Sequence, residues 1–313
     1  MHVPDGFIDG KTAVTAAAIS AVGVGLALRQ VKRELPPRKI PLLGLSAAFL
    51  FAAQMVNFPV AGGTSGHLVG GALVAALLGP SAAVVVVTTV LIVQCFLFQD
   101  GGVTALGANV FNMAIINSVA GYAIYRGLCR VLTGIRGQVT ALAFAAWCAT
   151  VLAAVCCAGE LAWSGTIPWT VAFPAMATVH MLIGVGEGLI SALAFLAVHR
   201  ARPDLVAETT GLDQPKRAGE LAGYALLMIL GIAVFVAPYA CAWPDGLDSV
   251  AEKFGFNHKQ AAPVLPAPAP DYQVPGIHWA VGATALAGAA GTLMAFGLAL
   301  LLGRWLVPKP KIS

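Results

Sequence analysis

Nine apolar stretches follow one another along the chain, most with only a short loop between them, near residues 12–28, 41–58, 67–79, 81–98, 103–125, 138–158, 168–198, 221–239 and 277–303. A helix needs about 20 residues to cross the hydrocarbon core of a bilayer. In lipid a lone segment satisfies its own backbone groups only as a helix. The pattern therefore predicts an all-α polytopic membrane protein whose short third segment is half-buried or continuous with the loop before it. Composition agrees, with 58% hydrophobic and 10% charged residues and a mean hydropathy of +0.84, where an ordinary soluble domain is about a quarter charged. The net charge of +4 is spread over short loops rather than gathered on one soluble face, so the partner it fits is the lipid bilayer and not nucleic acid.

The basic residues set an expected orientation. Arg29, Lys32, Arg33, Arg38 and Lys39 fill the first loop. Arg126, Arg130 and Arg136 fill another, Arg200, Arg202, Lys216 and Arg217 a third, and Arg304, Lys309 and Lys311 the tail. With nine spans these all fall on one side, the cytoplasm, leaving Lys11, Lys253 and Lys259 opposite; the N-terminus is then outside and the C-terminus inside. The polar hinge HRARPDLVAETTGLDQPKRAGE separates the first seven segments from the last two, which carry an outer loop over residues 239–276. The division places a membrane domain at 1–220 and a second domain at 221–313. Within the outer loop, Asp248–Phe254 is expected to form a turn or two of helix and 263–270 to run extended. The six cysteines have no paired spacing and read as small packing residues.

The chain opens MHVPDGFIDGKT, which lacks the early positive charge of a secretory signal. Its Gly10-Lys11-Thr12 resembles the end of a phosphate loop, but only three residues separate Gly6 from Gly10 where the motif needs four. Nucleotide binding is excluded on that ground. Histidine in second place has a specific chemistry. The Met1 amine, the His2 main-chain nitrogen and His2 Nδ1 can close a five-membered and then a six-membered chelate ring around one metal. An amine loses its proton on binding, and one imidazole from elsewhere completes a four-nitrogen plane, which suits Ni²⁺ or Cu²⁺ better than tetrahedral Zn²⁺. His67 is the candidate fourth donor. The bulky second residue is expected to keep Met1 in place, because initiator methionine is trimmed ahead of small residues. The competing reading of His2 is an incidental exposed side chain.

Three interior stretches carry polar groups. NFPVAGGTSGHLVGG, residues 57–71, sets a glycine-rich break before His67, and broken backbone at membrane depth is tolerated only against protein or a cavity. FQDGGVTALGANVFNMAIIN offers Asp100, Asn109, Asn112 and Asn117, the asparagines spaced to share a helix face. VHMLIGVGEGLI places His180 and Glu187 two turns apart on one face. Ionisable groups inside a span are costly and default to function, although helix-to-helix hydrogen bonding accounts for such residues equally well.

MHVPDGF, GGTSGHLVGG, GGVTALGANVFNMA and HMLIGVGEGLI together resemble the CbiM/NikM family, the substrate-capture subunits of energy-coupling-factor cobalt and nickel importers. PDGLDSVAEKFGF and DYQVPG resemble the PDGLE domain of NikN-type subunits, with Asp248 where the motif has Glu. The resemblance implies a seven-span capture unit fused to a two-span PDGLE domain in the inner membrane of a prokaryote. It further implies a transported Ni²⁺ or Co²⁺ held by Met1, His2 and His67, no prosthetic group and no catalysis by this chain. The implied partners are a transmembrane coupling subunit of the CbiQ/NikQ type and ATPases of the CbiO/NikO type. The NikN-like fusion and the four-nitrogen plane both favour nickel. His180, Glu187 and the asparagines are left as supporting or gating groups. The alternatives are an ion-driven secondary metal carrier using His180 and Glu187 as a relay, and a membrane-bound metal enzyme, for which no residue pairing argues.

Overall fold

The computed structural model describes residues 1–203 and 218–307. The hinge residues 204–217 and the tail beyond 307, with Lys216, Arg217, Lys309 and Lys311 among them, lie outside the described residues. The helices are α1 (Gly10–Glu34), α2 (Ile40–Gln54), α3 (Gly71–Leu78), α4 (Pro80–Val93), α5 (Leu106–Asn109), α6 (Asn117–Leu128), α7 (Gly134–Trp163), α8 (Trp169–Ala201), α9 (Ala218–Phe235), α10 (Gly246–Phe254) and α11 (Ala280–Leu306). A two-residue antiparallel ladder pairs β1 (Phe58–Pro59) with β2 (Ser65–Gly66) in the loop that leads to His67.

Each expected apolar stretch contains a helix, and six helices among the described residues are long and apolar enough to cross a membrane. The six are α1, α4 with the turn that extends it, α7, α8, α9 and α11. The others fall short for visible reasons. α3 has only eight residues, roughly 12 Å at 1.5 Å per residue, and Gly79 and Pro80 end it. The stretch from 106 to 128 is divided by a π-helical segment, Val110–Ile116, between α5 and α6.

The packing has the inverted logic of a protein in lipid. On α1 the large residues Val14, Ile19, Val22 and Leu26 are exposed, while Ala16, Ser20 and Ala27 face the bundle. Small residues let helix backbones approach where no hydrophobic drive separates helix from lipid. α7 likewise turns Ala141, Ala145, Ala149 and Ala153 inward and packs along α8. The last two long helices dock on the first domain: α11 and α9 both pack on α2, with Phe51 lying against Gly291 so closely that a β-carbon there would sit 2.0 Å from the ring.

The N-terminal segment, the loop 55–70, the loop 99–105 and the loop 236–279 meet at one end of the bundle. Ser65 N donates to Pro244 O at 2.8 Å, Ala261 N to Asp5 O at 2.8 Å, and Ala269 N to Leu97 O at 3.0 Å.

Candidate metal centre

The first nine residues form no regular structure, yet most of them, Gly6 and Asp9 excepted, are held inside the protein, with Met1 4% and Val3 0% exposed. Buried backbone needs partners, and each is supplied from a distance. Asn109 clamps Val3 from both sides, its Oδ1 accepting from Val3 N at 2.7 Å and its Nδ2 donating to Val3 O at 3.1 Å. Gly102 N donates to Val3 O as well, at 2.9 Å. Asp5 Oδ1 accepts from Thr104 N and Thr104 Oγ1 at 2.8 and 2.6 Å. Thr166 Oγ1 donates to Phe7 O at 2.6 Å. Gly6, at φ 92°, makes the turn that Pro4 and Asp5 begin, and Asp9 caps α1 by accepting from Thr12 N at 2.9 Å.

This anchoring delivers the amine to His67. Met1 N lies 3.0 Å from His67 Nε2, and the His2 and His67 rings stack with centroids 5.2 Å apart. His67 Nδ1 faces Leu68 O at 3.2 Å, which places the proton on Nδ1 and leaves the Nε2 lone pair toward the amine. Glu187 fixes the loop from below, its two oxygens accepting from Val69 N at 2.6 Å and Gly70 N at 2.8 Å. Replacing Glu187 with Gln leaves one buried N–H facing an amide NH₂. The expected cost is about 1–3 kcal/mol, read as a lower thermal midpoint of the purified protein.

Two carboxylates flank these nitrogens. Asp245, from the outer loop, forms an ion pair with the Met1 amine through Oδ2, which also lies 3.7 Å from His67 Nε2. Burial alone would raise the Asp245 carboxyl, but the charged amine and His67 hold it well below the usual carboxylate range. Asp100 Oδ1 lies 3.0 Å from His2 Nδ1, and Tyr272 donates to Asp100 Oδ2 at 2.6 Å. Burial pushes Asp100 upward too, and the His2 charge and these hydrogen bonds overcome it, so this carboxyl also sits below its ordinary value. His2 Nδ1 is the atom a terminal chelate needs. To reach a metal it must give up its contact with Asp100.

A π-helical turn, Gln94–Phe98, ends α4 and brings Gln94 Oε1 to 3.2 Å from His2 Nε2. Such turns recur at functional sites because they rotate side chains out of the α-helical register. Beneath the amine a partly enclosed space of about 10 Å³ is lined by Met1, His67, Thr150 and His180. That is room for roughly one water. Among the described residues no three His, Cys, Asp or Glu side chains make a metal cage by themselves.

Met1, His2 and His67 are thus neighbours. His180 lines the space below them, its Nδ1 2.8 Å from Met176 O and its Nε2 without a hydrogen-bond partner among the described residues. It is not joined to Glu187, whose oxygens serve the loop. The asparagines diverge, because the π-helical segment breaks the register they were expected to share: Asn109 holds the terminus, Asn112 Nδ2 donates to Glu160 Oε2 at 2.7 Å, and Asn117 Oδ1 accepts from Ala72 N at 3.1 Å. The expectations left out Asp245, Gln94 and Glu160 as site or supporting residues. Asp245 has a local signal in the Trp-Pro-Asp-Gly turn; Gln94 and Glu160 were readable only as polar residues within apolar runs.

The CbiM family model, described as the cobalt uptake substrate-specific transmembrane region, matches residues 2–205. The PDGLE domain model matches residues 219–308. The chain is 35% identical over 310 residues to a putative fused nickel transport protein NikMN of Archaeoglobus fulgidus, covering 97% of this chain and 99% of that protein. It is 33% identical to a fused nickel transport protein NikMN of Rhodobacter capsulatus, over 74% of this chain and 71% of that one. A crystal structure of a truncated transition metal transporter superposes with a TM-score of 0.59 at 31% identity, covering 64% of this chain and 99% of that one.

Proposed function

Since the chain belongs to the CbiM family of cobalt and nickel transport proteins and carries a PDGLE domain, we propose that it is the metal-capturing membrane subunit of an energy-coupling-factor importer, with residues 1–220 as capture unit and 221–313 as fused accessory domain. The observation that carries this reading is the Met1 amine, buried 3.0 Å from His67 Nε2 at the end of a segment clamped by Asn109. Met1 N, His2 N, His2 Nδ1 and His67 Nε2 are the four donors. The cargo is divalent nickel or cobalt, and a plane of four nitrogens favours nickel.

The capture unit has seven spans and the accessory domain two, the third span being made of α3 together with the loop before it, whose far end meets the first basic loop where Lys39 Nζ donates to Leu77 O at 3.2 Å. The N-terminus, the metal site and the loop 236–279 then face the exterior of a prokaryotic plasma membrane, and the basic loops face the cytoplasm. Energy comes from partners: a transmembrane coupling subunit of the CbiQ/NikQ type and two ATPases of the CbiO/NikO type.

Uptake of radioactive nickel by cells with and without the ATPase partners tests this. The expected result is loss of most uptake without the ATPases and little change when the proton gradient is collapsed. Uptake that ignores the ATPases and falls with the gradient would instead point to a secondary carrier.

A further inference from the structure

Asp245 stands 244 positions from Met1, in the accessory domain, yet its Oδ2 is paired with the Met1 amine and lies 3.7 Å from His67 Nε2. Its other oxygen is committed. Oδ1 accepts from Leu247 N at 2.8 Å and Asp248 N at 3.0 Å, capping α10. The turn ahead of it is pinned to the loop of His67, with Ser65 N donating to Pro244 O at 2.8 Å and Ser65 Oγ to Trp243 O at 2.7 Å. Gly246 is pressed against the bundle, where a β-carbon would lie 2.8 Å from His180 Cε1 and from Ile183 Cδ1. The cap, the pinned turn and the glycine fit together fix the second carboxylate oxygen against two of the proposed metal donors.

We propose that Asp245 is a metal-contacting residue of the capture site, whose Oδ2 takes hold of the arriving divalent cation and passes it to Met1 N and His67 Nε2. This rests on the terminal-amine site argued above. The carboxylate offers an approaching divalent ion an opposite charge, and at short range in a partly dry pocket that attraction is large. Its oxygen also replaces an aqua ligand like for like as the ion sheds its hydration shell. The Pro-Asp-Gly turn is therefore the means by which the accessory domain reaches the metal.

The test is the time course of Ni²⁺ capture by the purified full-length, metal-free protein, followed with radioactive nickel on rapid filtration. Asp245→Asn and Asp245→Ser both keep an oxygen able to cap α10 and remove the charge. Glu252→Gln removes an equal charge from the exposed face of the same helix. Association should slow on the order of tenfold in both Asp245 variants and stay within about twofold of the parent in Glu252→Gln. An Asp245 variant that captures nickel within twofold of the parent overturns the proposal. So does an equal slowing in Glu252→Gln, since only the general field would then matter. An N-terminally extended protein measured alongside separates the two readings: if it loses binding while the Asp245 variants are unaffected, the terminal site stands and the role of Asp245 falls. If the extended protein binds normally, the terminal site falls first.

Discussion

Adding several residues ahead of Met1 is expected to reduce metal binding to background, although no side chain of the natural sequence changes. The extension converts the amine to an amide, which is a far weaker donor. It also has nowhere to go, because Met1 is 4% exposed and its nitrogen is enclosed by His67 and Asp245. A comparable tag after Ser313 should leave binding intact, since the proposed orientation puts it on the opposite face. Side-chain variants grade the same site. His67→Ala removes one donor and leaves a position for water; His2→Ala removes a donor and a chelate ring and should bind more weakly still. Both losses should be at least ~10–100-fold, the range that loss of a supporting partner already costs a metal site. Titration of the purified variants with Ni²⁺ measures all four. Equal affinity in the extended and C-terminally tagged proteins would remove the amine from the ligand set.

Deleting residues 221–313 is expected to leave a folded, membrane-inserted capture unit whose metal uptake is lowered roughly tenfold, the lower end of that same range. The first domain keeps its own internal packing, α7 on α8 and α6 on α7. The deletion removes Asp245 from Met1, Ala261 from Asp5, Tyr272 from Asp100 and Pro244 from Ser65. Each partner left behind belongs to the terminal segment, to the loop before His67 or to the Asp100 turn. The loss should therefore fall on metal capture rather than on insertion. Cellular nickel uptake, with membrane abundance measured in parallel, checks it; normal transport by the truncated chain would make the accessory domain dispensable.

The sequence by itself determined the solvent, the helices and the chelating potential of the terminus. Lipid imposes a length and an apolarity on any segment that crosses it, so α1, α7, α8, α9 and α11 could be read without knowing their neighbours. The brevity of α3 was legible from the glycines and proline around it. The chelating potential of Met1 and His2 was legible too, because five- and six-membered rings are closed by adjacent residues. Helical register was less secure. The π-helical segment at Val110–Ile116 redirected three asparagines whose spacing had suggested one face, a break no local signal announces.

Tertiary structure alone decided the partners. Most buried polar side chains are satisfied by some partner, but the identity of that group depends on which distant part of the chain arrives. Asn109 takes Val3, Glu187 takes the two amides after His67, and Asp100 takes His2 with Tyr272. Asp245 is the clearest case, since its turn could be read as a motif while its contact with an amine 244 positions away could not. Periodicity and propensity report on a few neighbouring residues. An ion pair between the first residue and a second domain is fixed only when packed helices bring those two ends of the chain to one place.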